Sequence, residues 1–344
     1  MAVDPPSVTI SSSEDEPSSS DADFDIVSTY RNLLASDADL TMPVAAIEAL
    51  VVALSQRPTS TISETLEHLS RLSATLVAAA ANPISLSAGT DLFQRYIASA
   101  LNRPSGGSGA AADFDALRRH LLSNGRLFVE RAKASRAKIA RFGRHFVRDG
   151  CTVLTAGGSR VVGALLREAA DARGGSVRFS VVYVLREVGK MHCEGADVVK
   201  TLRDKGVPVA TITEGAVAYS MGMVDMVIVG AEGVVENGGI ISRLGTYQLA
   251  VLAKSMGRPV YVVAESHKFV RLFPLGQYDL PIKQRVVEFK TTDGEGKPEN
   301  EEERRKELET AVDFTPPELI SGIVTESGVL TPSAVSEELI KIWF

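Results

Sequence analysis

An N-terminal helical bundle followed by a doubly wound parallel α/β sheet is the fold class that the sequence predicts, and three observations predict it. From Phe24 to Gly150 apolar residues recur at spacings of three and four, the period of an amphipathic helix. After Gly150 the period changes, and short β-branched runs alternate with helix-like stretches, the pattern of a parallel sheet with crossover helices. Met223 to Lys254 then sets a buried-strand run against a glycine-rich polar loop and a helix start. The 344 residues, 44% of them hydrophobic, suffice for two domains with cores of their own.

Taken in order, residues 1–23 are rich in Ser, Asp, Glu and Pro, too poor in apolar groups to offset the entropy of ordering, and are expected to be a disordered acidic tail. Residues 24–150 form the helical domain. Ile26, Val27, Tyr30, Leu33 and Leu34 line one segment; Val44, Ile47, Leu50, Val51 and Leu54 line the next, with Pro43 suited to its first turn. Ile62, Leu66, Leu69, Leu72 and Leu76 continue the spacing, and Pro83 marks a stop before the segment of Leu92, Tyr96 and Ile97. Residues 103–112 read as a flexible loop, after which a helix is predicted from Asp113 to about Phe146. Residues 151–344 are the Rossmann-like domain, with strands expected in Thr152–Thr155, Val177–Leu185, Val207–Thr213, Met226–Val229 and Val260–Val263. Residues 291–309 are charged and read as a surface loop. Thr331 and Pro332 supply an N-cap and first-turn proline for a last helix carrying Val335, Leu339, Ile340 and Trp343.

The net charge of −6 hides an uneven distribution: acids gather at Glu14–Asp25 and Glu299–Glu303, whereas Arg118 to Arg148 is dominated by arginine and lysine on one apparent helix. A solvated face, a surface for an acidic or phosphorylated protein, and a nucleic-acid contact are the three readings, the last disfavoured by overall acidity and the lack of a binding motif. Cys151 and Cys193 make no disulfide framework, and no apolar run has the length of about 20 residues that a membrane span needs, so a cytosolic protein is expected. Gly157, Gly158 and Gly163 have the wrong spacing for a dinucleotide turn, which argues against NAD. His192, Cys193 and Glu194 adjoin without a second ligand pair, so no metal is expected, and His145 and His267 read as surface or packing residues.

The chemistry gathers around Glu232. Met226–Val229 suits a central strand, and Gly230-Ala231-Glu232 places a carboxylate where that strand ends, the ligand edge of an open α/β sheet. Gly238-Gly239 lets backbone amides approach a ligand, Arg243 adds a fixed cation, and Gly245-Thr246 opens a helix whose N-terminus attracts anions. Together these suit a phosphate.

Three stretches, GAEGVVENGGIISRLGTYQLAVLAK from Gly230, YVVAESHKFVRLFPL from Tyr261 and GVLTPSAVSEELIK from Gly328, resemble the alpha-subunit family of eukaryotic translation initiation factor 2B, and the likeness runs from about Phe24 to the C-terminus. That superfamily includes isomerases of methylthioribose 1-phosphate and ribose 1,5-bisphosphate, which use a cysteine after the first strand of the second domain and an aspartate in a G-A-D motif. The resemblance puts Gly157 at the cysteine position and Glu232 at the aspartate, so the acid and base pair is broken. Cys151 precedes the strand, more than about 10 Å from its far end, and does not substitute. Arg243 replaces a lysine and Ser242 an asparagine, each keeping its charge or hydrogen-bonding group. The resemblance thus implies a vestigial pocket of Thr155, Gly157, Gly158, Ser159, Arg160, Glu232, Asn237, Gly238, Ser242 and Arg243 for a sugar phosphate or nucleotide monophosphate, with no cofactor required. Arg186 would reinforce it if it faced inward. The implied function is a non-catalytic regulatory subunit of the guanine-nucleotide exchange factor for initiation factor 2. As a homodimer it would bridge beta, gamma, delta and epsilon subunits into a decamer and sense the phosphorylated alpha subunit of initiation factor 2, with Arg136, Lys138 and Arg141 as candidate contacts. A surviving sugar-phosphate isomerase is the alternative.

Overall fold

The computed structural model describes residues 24–37, 40–56, 61–80, 82–101, 110–172, 178–188, 192–287, 289 and 307–343. The acidic tail 1–23, most of loop 103–112 and most of loop 291–309 lie outside the described residues. The helical half holds α1 (Ile26–Ser36), α2 (Met42–Gln56), α3 (Ile62–Ala79), α4 (Pro83–Leu101) and α5 (Ala110–Gly143). Asp25 caps α1 by accepting from the amides of Val27 and Ser28, each at 3.0 Å, and Thr61 caps α3 through the amide of Glu64 at 3.2 Å. In α2 ten of fifteen residues are buried, Val44, Ile47, Leu50 and Leu54 among them; a helix apolar all round becomes the centre of the bundle, and α1, α3, α4 and α5 pack about it. The 34 residues of α5 span about 50 Å. That length carries α5 out of the bundle, where Val129 joins the helical core, to the helix Arg160–Asp171 of the sheet half, where Ile139 is buried.

Two boundaries differ from the sequence reading. The long helix starts at Ala110 instead of Asp113 and gives way at Arg144–Phe146 to a 3-10 turn, so residues 110–112 are helix and not loop. Residues 307–310, at the edge of the expected 291–309 loop, form a helical turn.

The main sheet is built from β1 (Thr152–Ala156), β2 (Ser180–Val184), β5 (Val209–Ile212), β6 (Met226–Gly230), β9 (Val260–Val263), β12 (Gly322–Thr325) and β13 (Gly328–Leu330). Their order is β13-β12-β9-β6-β1-β2-β5, all neighbours parallel except β12 and β13. Helices α6 (Arg160–Asp171), α7 (Ala196–Asp204) and α9 (Thr246–Ser255) connect these strands, with a single turn, α8 (Val217–Ser220), before β6. Successive strand residues feed opposite faces: Leu154, Val182 and Val227 join the core under α9, whereas Val153, Val181 and Ile228 join the core under α6 and α7. Arg186–Val188 (β3) and His192–Glu194 (β4) form a small antiparallel pair. A four-stranded sheet of Gly233–Val235 (β7), Ile240–Arg243 (β8), Phe269–Val270 (β10) and Val312–Thr315 (β11) leans on α4.

The Thr331-Pro332 signal opens the last helix, α10 (Val335–Trp343), through one 3-10 turn, with Thr331 at the N-cap position and Pro332 in the first turn. Pro332–Ala334 form that turn, and the Thr331 hydroxyl meets that of Ser333 at 3.0 Å. Chain order reverses between β1 and β6, so their carboxyl ends diverge and leave a crevice, the place where doubly wound sheets bind ligands.

Candidate functional site

A cavity of about 210 Å³ occupies that crevice. Its floor is Gly157, Gly158 and Ser159 after β1, Gly230 and Glu232 at the end of β6, and Arg243 at the end of β8; its roof is Thr41, Met42 and Pro43 at the start of α2, Ser85 of α4 and Arg136 of α5. Both halves of the chain therefore build one site. The turn after β1 needs Gly157, whose φ is +72°, and the buried Tyr183 hydroxyl donates to the Gly157 carbonyl at 2.5 Å, fixing the loop from below. Ser159 then opens α6 and accepts from the Val162 amide at 3.5 Å.

Charge is concentrated around Arg243. Its Nε lies 3.3 Å from Glu232 Oε1 and 3.4 Å from Glu194 Oε1, one guanidinium between two carboxylates. Burial pushes the Glu232 carboxyl above its ordinary range, with Arg243 and Lys268 opposing the rise and Glu194 adding to it. Asn82 donates its amide to the other oxygen of Glu232, and its own carbonyl oxygen accepts from the Ile84 amide at 3.1 Å, so one side chain caps α4 and ties the helical half to the site. On the roof side Lys268 pairs with the buried Glu265 at 2.8 Å, and His267 Nε2 meets the Thr41 hydroxyl at 3.3 Å. Although burial opposes charge on Glu265, Lys268 and His267 hold its carboxyl below the usual range.

Of the residues expected from sequence, Gly157, Gly158, Ser159, Arg160, Glu232, Ser242 and Arg243 line the cavity, and so does Arg186. Ser242 spends its hydroxyl on the Gly230 carbonyl at 2.9 Å, and Arg160 donates to the Leu40 carbonyl at 2.9 Å. Arg186 donates to the carbonyls of Leu244 and Leu308, at 3.4 and 2.7 Å, pinning the chain that precedes β11.

Asn237 and Gly238 stand elsewhere. They make the β7–β8 hairpin turn, where Asn237 donates to the Pro274 carbonyl at 2.9 Å and Gly238, with φ +84°, approaches Pro332 so closely that a Cβ would lie 2.1 Å from its carbonyl oxygen. Thr155 is a fully buried strand residue and does not line the cavity. The start of α9 is already filled: Asp313 Oδ2 accepts from the amides of Gly245 at 2.6 Å and Tyr247 at 3.0 Å, so the expected anion site there is taken by the chain's own carboxyl group. The three basic candidates of α5 also separate, since residues two apart on a helix point about 200° apart: Arg136 faces the cavity, whereas Lys138 and Arg141 are exposed.

Sequence reading missed Asn82, Glu194, Glu265, Lys268 and Asp313. Asn82 carried a signal, an Asn preceding the proline of a helix start, and Glu265 another, a carboxylate just past the predicted strand Val260–Val263.

The chain matches the initiation factor 2 subunit family over residues 35–332. It is 34% identical to the eIF2B subunit alpha of Dictyostelium discoideum, a likeness that covers 93% of this chain and 98% of that protein. It is 29% identical to the ribose 1,5-bisphosphate isomerase of Pyrococcus furiosus over 66% of this chain and 68% of that one. A chain of the tetrameric eIF2B-beta2-delta2 complex from C. thermophilum has the same fold, with a TM-score of 0.68 at 21% identity, covering 92% of this chain and 94% of that chain.

Proposed function

The chain belongs to the initiation factor 2 subunit family, and on that premise we propose that it is a non-catalytic regulatory subunit of the guanine-nucleotide exchange factor for translation initiation factor 2. The observation that carries this reading is the extent of the likeness: it runs through the helical half and the sheet half alike in the subunit alpha relative, and through only two thirds of the chain in the isomerase relative. In this reading the chain is a cytosolic homodimer that joins beta, gamma, delta and epsilon subunits into the full complex, and exchange chemistry belongs to another subunit.

The floor of the cavity supports a binding role without turnover. Gly157, at the position that the resemblance gives to the isomerase cysteine, offers no acid, base or nucleophile. Glu232, at the aspartate position, is engaged by Asn82 and Arg243. What remains suits a phosphorylated ligand: the Gly157-Gly158-Ser159 turn at the start of α6, with Arg243 across from it. A sugar phosphate or nucleotide monophosphate held there favours the assembled state by mass action. Lys138 and Arg141, outward on α5, are the candidate contacts for the phosphorylated alpha subunit of initiation factor 2.

Native affinity purification of the chain from its own cytosol, with mass determination of the particle, tests the assignment. Recovery of four further subunits in a decamer-sized complex is the expected result. Recovery of a homo-oligomer alone, turning over ribose 1,5-bisphosphate or methylthioribose 1-phosphate, would establish the isomerase instead.

A further inference from the structure

The guanidinium of Arg243 does not meet a ligand as a bare cation. Glu232 Oε1 and Glu194 Oε1 flank its Nε at 3.3 and 3.4 Å, and the trio, fully ionised, carries a net charge of −1. An anion that reaches Arg243 comes up against both carboxylates in a recess partly closed to water, where charges interact more strongly than in bulk solvent. We propose that the cavity binds its anionic ligand together with a proton, and that Glu232 is the group that receives it. The inference rests on the reading of this cavity as a phosphate site and adds its regulation: occupancy rises as the surroundings acidify.

Glu194 competes for the proton, since its Oε2 is buried with no hydrogen-bond partner among the described residues, but burial raises the carboxyl of Glu232. Glu232 Oε2 accepts from the neutral Asn82 amide, so a proton is not excluded by a second cation on that side, while Oε1 faces Arg243. Burial already favours the neutral form, and Glu194 adds to that preference, whereas Arg243 and Lys268 oppose it. Glu265 is different, being held ionised by Lys268 at 2.8 Å. Farther round the wall stand Arg136 of α5, Arg160 of α6, Arg186 of β3 and Glu214 ahead of β6. Asp313 lies beneath Gly245 at the start of α9, and burial raises its carboxyl to about 7, which makes it a competing source of any pH dependence. A neutral Glu232 is a hydrogen-bond donor that an incoming anion accepts, while the carboxylate is a second repelling charge; the proton thus changes the site from hostile to receptive.

Inorganic sulfate is the first probe because it does not titrate between pH 6 and 8, so any pH dependence of its affinity belongs to the protein. Calorimetric titration at constant ionic strength is expected to show affinity falling by up to about tenfold per pH unit as Glu232 ionises, the limit set by uptake of one proton. Glu232→Gln, which keeps the shape and cannot take up the proton, is expected to flatten the profile, and Asp313→Asn to leave it. Sulfate binding that is independent of pH, or a slope equally steep in Glu232→Gln, would overturn the proton linkage and leave the phosphate site standing. If neither sulfate nor ribose 5-phosphate binds at pH 6, the phosphate-site reading falls and the inference with it.

Discussion

Two helices begin at the carboxyl edge of the sheet, beside the cavity, and differ in what fills their first turn. At α9 the Asp313 carboxyl group, brought in by β11, takes the amides of Gly245 and Tyr247 at 2.6 and 3.0 Å. At α6 the acceptor is the Ser159 hydroxyl, which reaches the Val162 amide at 3.5 Å, and the Gly157-Gly158 turn ahead of it opens into the cavity. A helix start is an anion site only while its amides are not satisfied from within. By that test α6, not α9, is the pole that has room for a phosphate. The same sequence cue, a glycine followed by a hydroxyl residue, stands at both starts, so the difference is tertiary.

The largest expected effect separates the two helices by pH. Burial raises the Asp313 carboxyl to about 7 from 3.8, against the Tyr247 and Gly245 amides and Arg186, which lower it. Because the folded value lies above the unfolded one, this group stabilises the fold below about pH 4 and loses that contribution as pH rises through 7, a fall of roughly 2–4 kcal/mol. Urea midpoints measured against pH are expected to decline more steeply in the unmodified protein than in Asp313→Asn. Parallel profiles would show that the α9 cap is not the buried titrating group described above.

Next comes the ligand. Ser159→Ala is expected to weaken ribose 5-phosphate about tenfold, near 1.4 kcal/mol, by removing a hydroxyl from the open pole, while Asp313→Asn changes affinity less than twofold. Equal losses in the two variants, measured by calorimetry at one pH, would erase the distinction between the helix starts. Smaller still is the structural cost of Ser159→Ala, expected at about 0.5–1 kcal/mol in the denaturation midpoint, since its capping bond is long.

How much of this was legible follows the range of the interactions. The three-and-four spacing of Ile47, Leu50, Leu54, Leu69 and Leu76 is local, and all five are buried in the helical core. The runs around Leu154 and Val227 are likewise local; Glu232 followed from its place at a strand end and Gly157 from the family resemblance, and both stand at the edges of adjacent strands. What sequence could not supply is pairing across distance: Asn82 meets Glu232 from 150 residues away, and Asp313 meets Gly245 from 68. Asn237-Gly238 misled for a different reason. An Asn-Gly pair between apolar runs is first of all a hairpin turn, and here the hairpin has the stronger claim, with Gly238 packed on Pro332.

The smallest expected stability change lies at the outer face of α5, and it carries the division between cavity and surface furthest from the sheet. Arg136, Lys138 and Arg141 read as one basic run in sequence, but only Arg136 turns toward the cavity. Reversing the outward pair, Lys138→Glu with Arg141→Glu, is therefore expected to shift stability by less than about 0.5 kcal/mol and to leave ribose 5-phosphate affinity unchanged. If these residues contact the phosphorylated alpha subunit of initiation factor 2, the same reversal weakens that binding severalfold, with a reduced salt dependence, because two attractive charges become repulsive. Arg136→Glu is expected to do the opposite, weakening the small anion by placing another carboxylate in a wall that already holds Glu265. Should the outward reversal also weaken the small anion, the inner and outer faces of α5 would be coupled, and the outer face and the cavity would have to be treated as one site.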